Sequence, residues 1–369
     1  MGRGLLACAR RGSRGLDRAL RRRLCRVVLR AFRRKRAAHA SARARIVNVL
    51  SLARIAAIRA DPARCTRPLE PSPVDRTRPF LPEDQTQLYY TPGYRLLNFE
   101  QRLRYNQLFA LRVNEYIMML ERDFVEPVLR SVRARAAQFG SAALVEALAA
   151  MREEEARHYE AFAALNRQCE PAAYAGSDHW FMRLKPYERL SLRAMQAGAR
   201  WLPFALWIII AMEESSIGLA TAMLRAGETA LGPLDLHFLA VHREHAKDEA
   251  RHIHVDVHLV RACVHTLPRP WRRVNARLFL GFMRDMTAPK ADGTGARVVR
   301  RLLVEHPELA AHEAELISGL VALRDDADFQ HSVFNRRLNP LAFALFDEEP
   351  ALADLGRVLK AYERSAADF

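Results

Sequence analysis

The chain has 369 residues, 50% of them hydrophobic and 27% charged, an ordinary globular mixture that excludes a collagen, a coiled-coil rod and an acidic disordered tail. Its net charge of +16 is unevenly spread: residues 1–60 hold 18 of the 58 Lys and Arg residues but only Asp17 of the 42 acidic ones, leaving 40 basic against 41 acidic residues in 61–369. The excess therefore belongs to a tail, and the remaining body carries no electrostatic footprint of nucleic-acid binding.

Three regions follow in chain order. Residues 1–60 form a basic, Arg-rich tail in which Leu16, Leu20, Leu24, Val27, Val28, Ala31 and Phe32 recur at helical spacing. Such a segment suits an anionic membrane surface, an organelle-targeting sequence or a solvated tail. Seven prolines (Pro62, Pro68, Pro71, Pro73, Pro79, Pro82 and Pro92) make 61–95 an extended arm or linker rather than a regular helix. From 96 to 369 the pattern is helical. Asn98 with Gln101 forms a capping box that opens a helix running to Glu126, ahead of Pro127. Ser141 opens a second, to about Arg167, and further helices are expected near 187–200, 203–226, 235–265, 270–288 and 294–365 between Pro and Gly breaks. No alternating strand pattern occurs, so the expected class is all-α. The longest apolar run, Trp201 to Met212, is twelve residues against the ~20 of a membrane span, and reads as a buried helix with no transmembrane segment in the chain. Cys8, Cys25, Cys65, Cys169 and Cys263 are scattered, which suggests neither a disulfide framework nor a thiolate zinc site and fits a cytoplasmic protein.

Two pentapeptides nearly repeat, Glu154-Glu155-Ala156-Arg157-His158 and Asp248-Glu249-Ala250-Arg251-His252. On a helix, Glu and His three residues apart share a face, and two such helices with one further Glu from each of two others build the carboxylate-bridged di-iron or di-manganese site of ferritin-like bundles. One copy would pass for a solvated surface pair; two with the same flanking acid and Arg point to metal. A metal-bound imidazole needs an acceptor for its outward N–H. Asp248 is expected to serve His158 and Glu154 to serve His252, crossing between the helices, with Arg157 and Arg251 balancing the two acids.

The remaining carboxylates should come from the preceding helices. Ala110, Val113, Ile117, Phe124 and Val128 share a face broken only by Glu121, which burial would leave without a partner unless a cation waits there. Glu115 lies instead on a stripe ending in Arg122. Before the second motif, Leu206, Ile209, Ile210, Ile217, Ala220 and Leu224 surround Glu213, while Glu214 falls on a slightly wetter stripe between Trp207 and Arg225. Amphipathicity favours Glu213 narrowly, and Glu214 stays a candidate. At roughly 100° per residue, Glu249 and His252 lie about 40° and −20° around the helix from His245, so all three face one sector and His245 becomes a third imidazole ligand. Asp256 continues the stripe as an outer carboxylate, whereas His242 and His254 read as structural or solvent-facing. Oxygen-rich iron with imidazoles and spare positions suits reaction with O2, and apolar walls suit a small apolar or aromatic substrate.

The order Glu121, Glu155-x-x-His158, Glu213 or Glu214, then His245-x-x-x-Glu249-x-x-His252 resembles the p-aminobenzoate N-oxygenase group of ferritin-like di-iron oxygenases over about residues 95–265. The resemblance implies a ferritin-like bundle with additional C-terminal helices, seven ligands drawn from these residues and a homodimer. It also implies two iron ions cycling between Fe2+ and Fe3+, with manganese as the alternative metal, O2 as co-substrate and an external electron donor. The implied reaction is N-oxygenation of an aryl amine. Competing expectations are a hydroxylase or desaturase built on the same metals, a radical-bearing subunit, and a non-catalytic iron-binding protein.

Overall fold

Ser51 Oγ accepts from the Arg54 amide at 3.2 Å and so caps α1, Leu52–Arg59, the first helix among the residues that the computed structural model describes, namely 48–61, 63, 64, 66, 69, 72–226 and 228–364. The amphipathic pattern from Leu16 to Phe32 lies outside the described residues. A compact unit begins at Asn48, so α1 and the proline-rich arm both belong to it. Among its described residues the arm holds no α-helix, but neither is it a free linker. It turns through three short 3-10 segments, Glu83–Gln85, Leu88–Tyr90 and Pro92–Leu96, and buries Phe80, Leu81 and Leu88. Its backbone is satisfied by Asn106, whose Oδ1 accepts from the amides of Phe80 (2.9 Å) and Leu81 (3.2 Å) and whose Nδ2 donates to the Leu81 carbonyl.

The expected capping box is formed. Asn98 and Gln101 exchange backbone-to-side-chain hydrogen bonds at 2.9 Å each and open α2, Phe99–Met118. The helix does not end before Pro127. It widens into a π-helical segment, Met119–Val125, and continues as α3, Glu126–Phe139. Pro127 lacks the N–H that would reach back to the Asp123 carbonyl, and that acceptor takes the Gln196 side-chain amide instead. Ser141 caps α4, Ala142–Cys169. Then come α5, Pro186–Gly198, and α6, Ala205–Ala226, followed by a two-residue hairpin pairing Glu228–Thr229 with Gly232–Pro233, whose turn needs Gly232 at φ 99°. Asp235 caps α7, Leu236–Cys263, by accepting from the Phe238 amide at 2.6 Å. The helices expected between breaks over 294–365 are a series of short ones. With α8, Arg269–Met286, they are α9, Thr294–Glu305; α10, Glu313–Ala322; α11, Ala327–Val333; and α12, Pro340–Asp347.

The fold is an all-α, ferritin-like bundle. Its centre is made by α2 with its π-helical continuation, α4, α6 and α7; α6 packs along α7, and α4 packs on both α2 and α7. Apolar rows from these helices, among them Leu108, Phe162, Ile209 and Phe238, are fully or almost fully buried. By length and composition α6 would suffice to cross a membrane, yet it runs through the core with Leu206, Trp207, Ile208 and Ile210 buried and two carboxylates on it. Leu224, expected on its buried face, is half exposed, while Met223 beside it is buried.

Candidate metal centre

Four helices deliver acids and imidazoles to one place. Glu121 comes from the π-helical segment, Glu155 and His158 from α4, Glu213 from α6, and His245, Glu249 and His252 from α7; all seven are buried. The extra residue of a π turn changes the register of every side chain after it, and such turns gather at functional sites. Here the widened turn carries Glu121.

Their donor atoms fall into two groups, each drawn together within 4.8 Å: Glu121, His158, His245 and Glu249 in one, Glu155, Glu213, Glu249 and His252 in the other. Glu249 belongs to both. Its Oε1 lies 3.3 Å from His158 Nδ1, 3.2 Å from His245 Nε2 and 3.3 Å from His252 Nδ1. His245 Nε2 is 2.9 Å and His158 Nδ1 3.7 Å from Glu121 Oε1, and His252 Nδ1 is 3.0 Å from Glu155 Oε1. Ligands held at about 2.0–2.2 Å from one cation, at angles of about 90–110°, stand about 3–3.5 Å apart, so these spacings suit the edges of a coordination shell.

Unpaired polar atoms set the clustered groups apart from acids that are merely buried. Glu121 Oε2, Glu155 Oε1, His158 Nδ1, both oxygens of Glu213, Glu249 Oε1 and His252 Nδ1 are buried and, despite these close approaches, make no well-formed hydrogen bond. Native interiors rarely leave such atoms orphaned, and together they form the donor set that a pair of divalent cations would satisfy. Glu115 and Glu214 are just as buried but fully partnered. Glu115 accepts from the Tyr174 hydroxyl (2.6 Å) and from the amides of Trp180 (2.8 Å), Phe181 (2.7 Å) and Met182 (2.6 Å). Glu214 accepts from the amides of Leu341 and Ala342 at 2.8 Å each, capping α12. The structure therefore does not bring Glu214 into the cluster. Nor is its stripe wetter: Glu213 and Glu214 are each 3% exposed, because that face of α6 meets α12 rather than solvent.

The outward nitrogens follow the expected crossing pattern. His158 Nε2 lies 3.1 Å from Asp248 Oδ2, and His252 Nε2 lies 2.8 Å from Glu154 Oε2. Arg251 is buried between the two acids, donating to Glu154 at 3.2 Å and to Asp248. Arg157 stands farther out, 3.8 Å from Glu154 and 59% exposed. Asp256 is fully buried beside Glu213, outside both donor groups. His242 is structural, its Nε2 3.0 Å from Asn114 Oδ1, and His254 Nδ1 accepts from the Leu50 amide at 3.3 Å.

Crowded acids and imidazoles shift one another. Burial pushes Glu121 up to about 7 and Glu213 well above the carboxylate range, the latter helped by the charges of Asp256 and Glu249. Burial likewise pushes Asp256 up to about 7. His158 and His252 go well up because surrounding carboxylates outweigh the burial that would lower them, and His245 reaches about 9 against the same opposition through Glu249 and Glu121. Protons would thus compete with a cation for these positions.

A chamber of about 130 Å³ adjoins the cluster on the side of Glu121, Glu155, Glu213 and Glu249, with Val113, Ile117, Met212 and Leu219 in its walls. Tyr116 and Leu120 border both this chamber and a larger cavity of about 600 Å³. Arg112 lines the larger cavity. It donates to the Thr294 hydroxyl at 2.9 Å and lies over the Phe109 and Tyr116 rings, and among the described residues no carboxylate pairs with it.

Neither the π turn nor the contacts of Arg59 and Thr66 behind the cluster were legible in residue order. The first needs backbone geometry, and the second falls where composition signals only a basic tail and a proline-rich arm.

Helical bundle, paired Glu-x-x-His helices and two sets of inward donors define a ferritin-like protein with a candidate dimetal site. The family model described as P-aminobenzoate N-oxygenase AurF matches residues 66–315, and the chain belongs to this family of di-iron oxygenases. Among curated proteins none matches the sequence.

Proposed function

We propose that this chain is a di-iron monooxygenase that oxidises the nitrogen of a small aryl amine, with Glu121, His158, His245 and Glu249 holding one iron and Glu155, Glu213, Glu249 and His252 the other. The reading is carried by one observation: buried donor atoms, most of them without a hydrogen-bond partner, converge in two groups that share Glu249. Bound iron would supply the one-electron steps by which O2 is reduced.

The chain's own residues do the rest. Glu154 and Asp248 hold the outward N–H groups of His252 and His158, so that the opposite nitrogens face the cluster as lone pairs. Val113, Ile117, Met212 and Leu219 keep the chamber apolar and exclude water from the reacting nitrogen. Tyr116 and Leu120 stand between that chamber and the larger cavity, a position from which they orient a ring. Arg112, whose pKa burial lowers, would pair with an anionic group at the far end of the substrate. For the first oxidation, R–NH2, O2, two electrons and two protons give R–NHOH and water, the electrons coming from an external donor. The protein is inferred to act as a homodimer in a reducing compartment, where the buried thiols of Cys169 and Cys263 stay free.

Anaerobic loading with Fe2+, metal counting and exposure to O2 with aryl amines, with and without a carboxyl group, tests this. Two irons per chain and hydroxylamine, nitroso or nitro products are expected. O2 consumption indifferent to every amine, or hydroxylated or desaturated carbon instead of oxidised nitrogen, refutes it.

A further inference from the structure

The strap from Leu50 to Thr66 reaches only the first residue of the family-matched segment 66–315, yet it lies against the outward side of the cluster. It is pinned to α7 at its start, where His258 Nε2 donates to the Leu50 carbonyl at 2.9 Å and His254 Nδ1 accepts from the Leu50 amide. α1 then carries Arg59 to α4. Arg59 Nε donates to Glu154 Oε1 at 3.2 Å and its Nη2 to Glu153 Oε2 at 3.3 Å. Glu154 is thus a junction. Its Oε1 receives Arg59 and Arg251, while its Oε2 holds His252 Nε2, leaving His252 Nδ1 towards Glu155 and Glu249. At the far end of the strap the Thr66 hydroxyl donates to the Glu244 carbonyl at 3.2 Å and lies beside Asp248, the partner of His158.

A carboxylate that accepts from two guanidiniums on one oxygen is held in one rotamer, and the imidazole on its other oxygen is held with it. Without Arg59, Glu154 keeps Arg251 alone at that oxygen, with Arg157 farther off, and is free to rotate towards it. His252 then loses a fixed acceptor. His158 does not, because its acceptor is Asp248.

We propose that Arg59 is a positioning residue for His252, acting through Glu154, so that one of the two metal positions is tuned by a helix outside the segment matched by the family. This rests on the dimetal reading of the cluster. Anaerobic Co2+ titration of the full chain, read by visible absorption, tests it in two backgrounds. In Glu121→Gln, which leaves the His252 group intact, adding Arg59→Ala should weaken Co2+ binding ~3–10-fold and shift the ligand-field bands, less than the ~10–100-fold typical of a residue bonded directly to a ligand. In Glu213→Gln, which leaves the His158 and His245 group, Arg59→Ala should change neither. Arg59→Lys should restore most of the loss, and Arg54→Ala, an exposed change on the same helix, should match the background protein. Unchanged affinity in the Glu121→Gln background overturns the proposal. So does equal weakening in both backgrounds with a lowered Tm of the apo protein, which would make the strap a general brace. A wild-type chain that takes up no Co2+ overturns the proposal and the dimetal reading together; normal wild-type uptake without an Arg59 effect overturns the proposal alone.

Discussion

Replacing Glu249 by Gln separates a shared ligand from an ordinary buried acid. Glu249 Oε1 stands within 3.3 Å of an inward nitrogen of His158, His245 and His252, and Glu249 is the acid common to both donor groups. A cation at 100 times its Kd stabilises the fold by ~2.7 kcal/mol per site, so two sites contribute ~5 kcal/mol. At roughly 2–4 °C per kcal/mol, the Tm should rise by on the order of 10 °C when the apo wild type is loaded anaerobically with Fe2+. Glu249→Gln should abolish that increment and hold almost no metal. Glu121→Gln and Glu213→Gln, each in one group, should retain one metal and about half the increment. Calorimetry of apo and loaded forms, with metal counted on the same samples, reads both quantities; comparing increments removes whatever the substitution does to the apo fold. A Glu249→Gln protein with two metals and a wild-type rise would refute the shared-ligand geometry.

Glu115→Ala should lower stability by roughly 3 kcal/mol or more, since three backbone amides lose a buried acceptor, while metal per folded molecule stays at the wild-type value; loss of metal at unchanged Tm would contradict its structural role. Burial pushes His242 down to about 3, against ~6.5 in an unfolded chain, so its contribution to stability is fully present above about pH 6.5 and is lost as pH falls towards 3, at roughly 1.4 kcal/mol per pH unit. His242→Gln should accordingly lose less stability than wild type between pH 7 and pH 4 in the apo state, and parallel curves by chemical denaturation would count against a neutral buried imidazole. Arg112→Met should raise KM for a carboxylate-bearing aryl amine by ~10–100-fold, in keeping with a charged hydrogen bond of ~1.5–3 kcal/mol, and leave KM for an uncharged amine nearly unchanged; equal effects on both would remove Arg112 from substrate binding.

Helix starts and the shared faces of the paired Glu and His residues were legible in residue order because both are local. The Asn98–Gln101 box, the Ser141 cap and the i, i+3 placement of Glu and His act within one or two turns, and the two motifs carry their crossing acids with them. What was misread depended on a distant partner. Pro127 ends a helix by local rules, but a π turn and the Gln196 side chain let α3 follow without a break.

By itself the sequence determined an all-α bundle with two Glu-x-x-His helices and a small set of acids competing for the remaining positions. Only the tertiary structure decided among those acids. Periodicity ranked these acids by the stripe on which each lay, yet Glu115, Glu121, Glu213 and Glu214 are all buried alike. It cannot report what meets them: α12 brings backbone amides to Glu214 and the segment at 180–182 brings them to Glu115, whereas Glu121 and Glu213 each meet imidazoles and acids of the cluster with oxygens left over. A buried charge must be compensated, and whether protein N–H groups or a cation compensate it depends on elements far away in the chain.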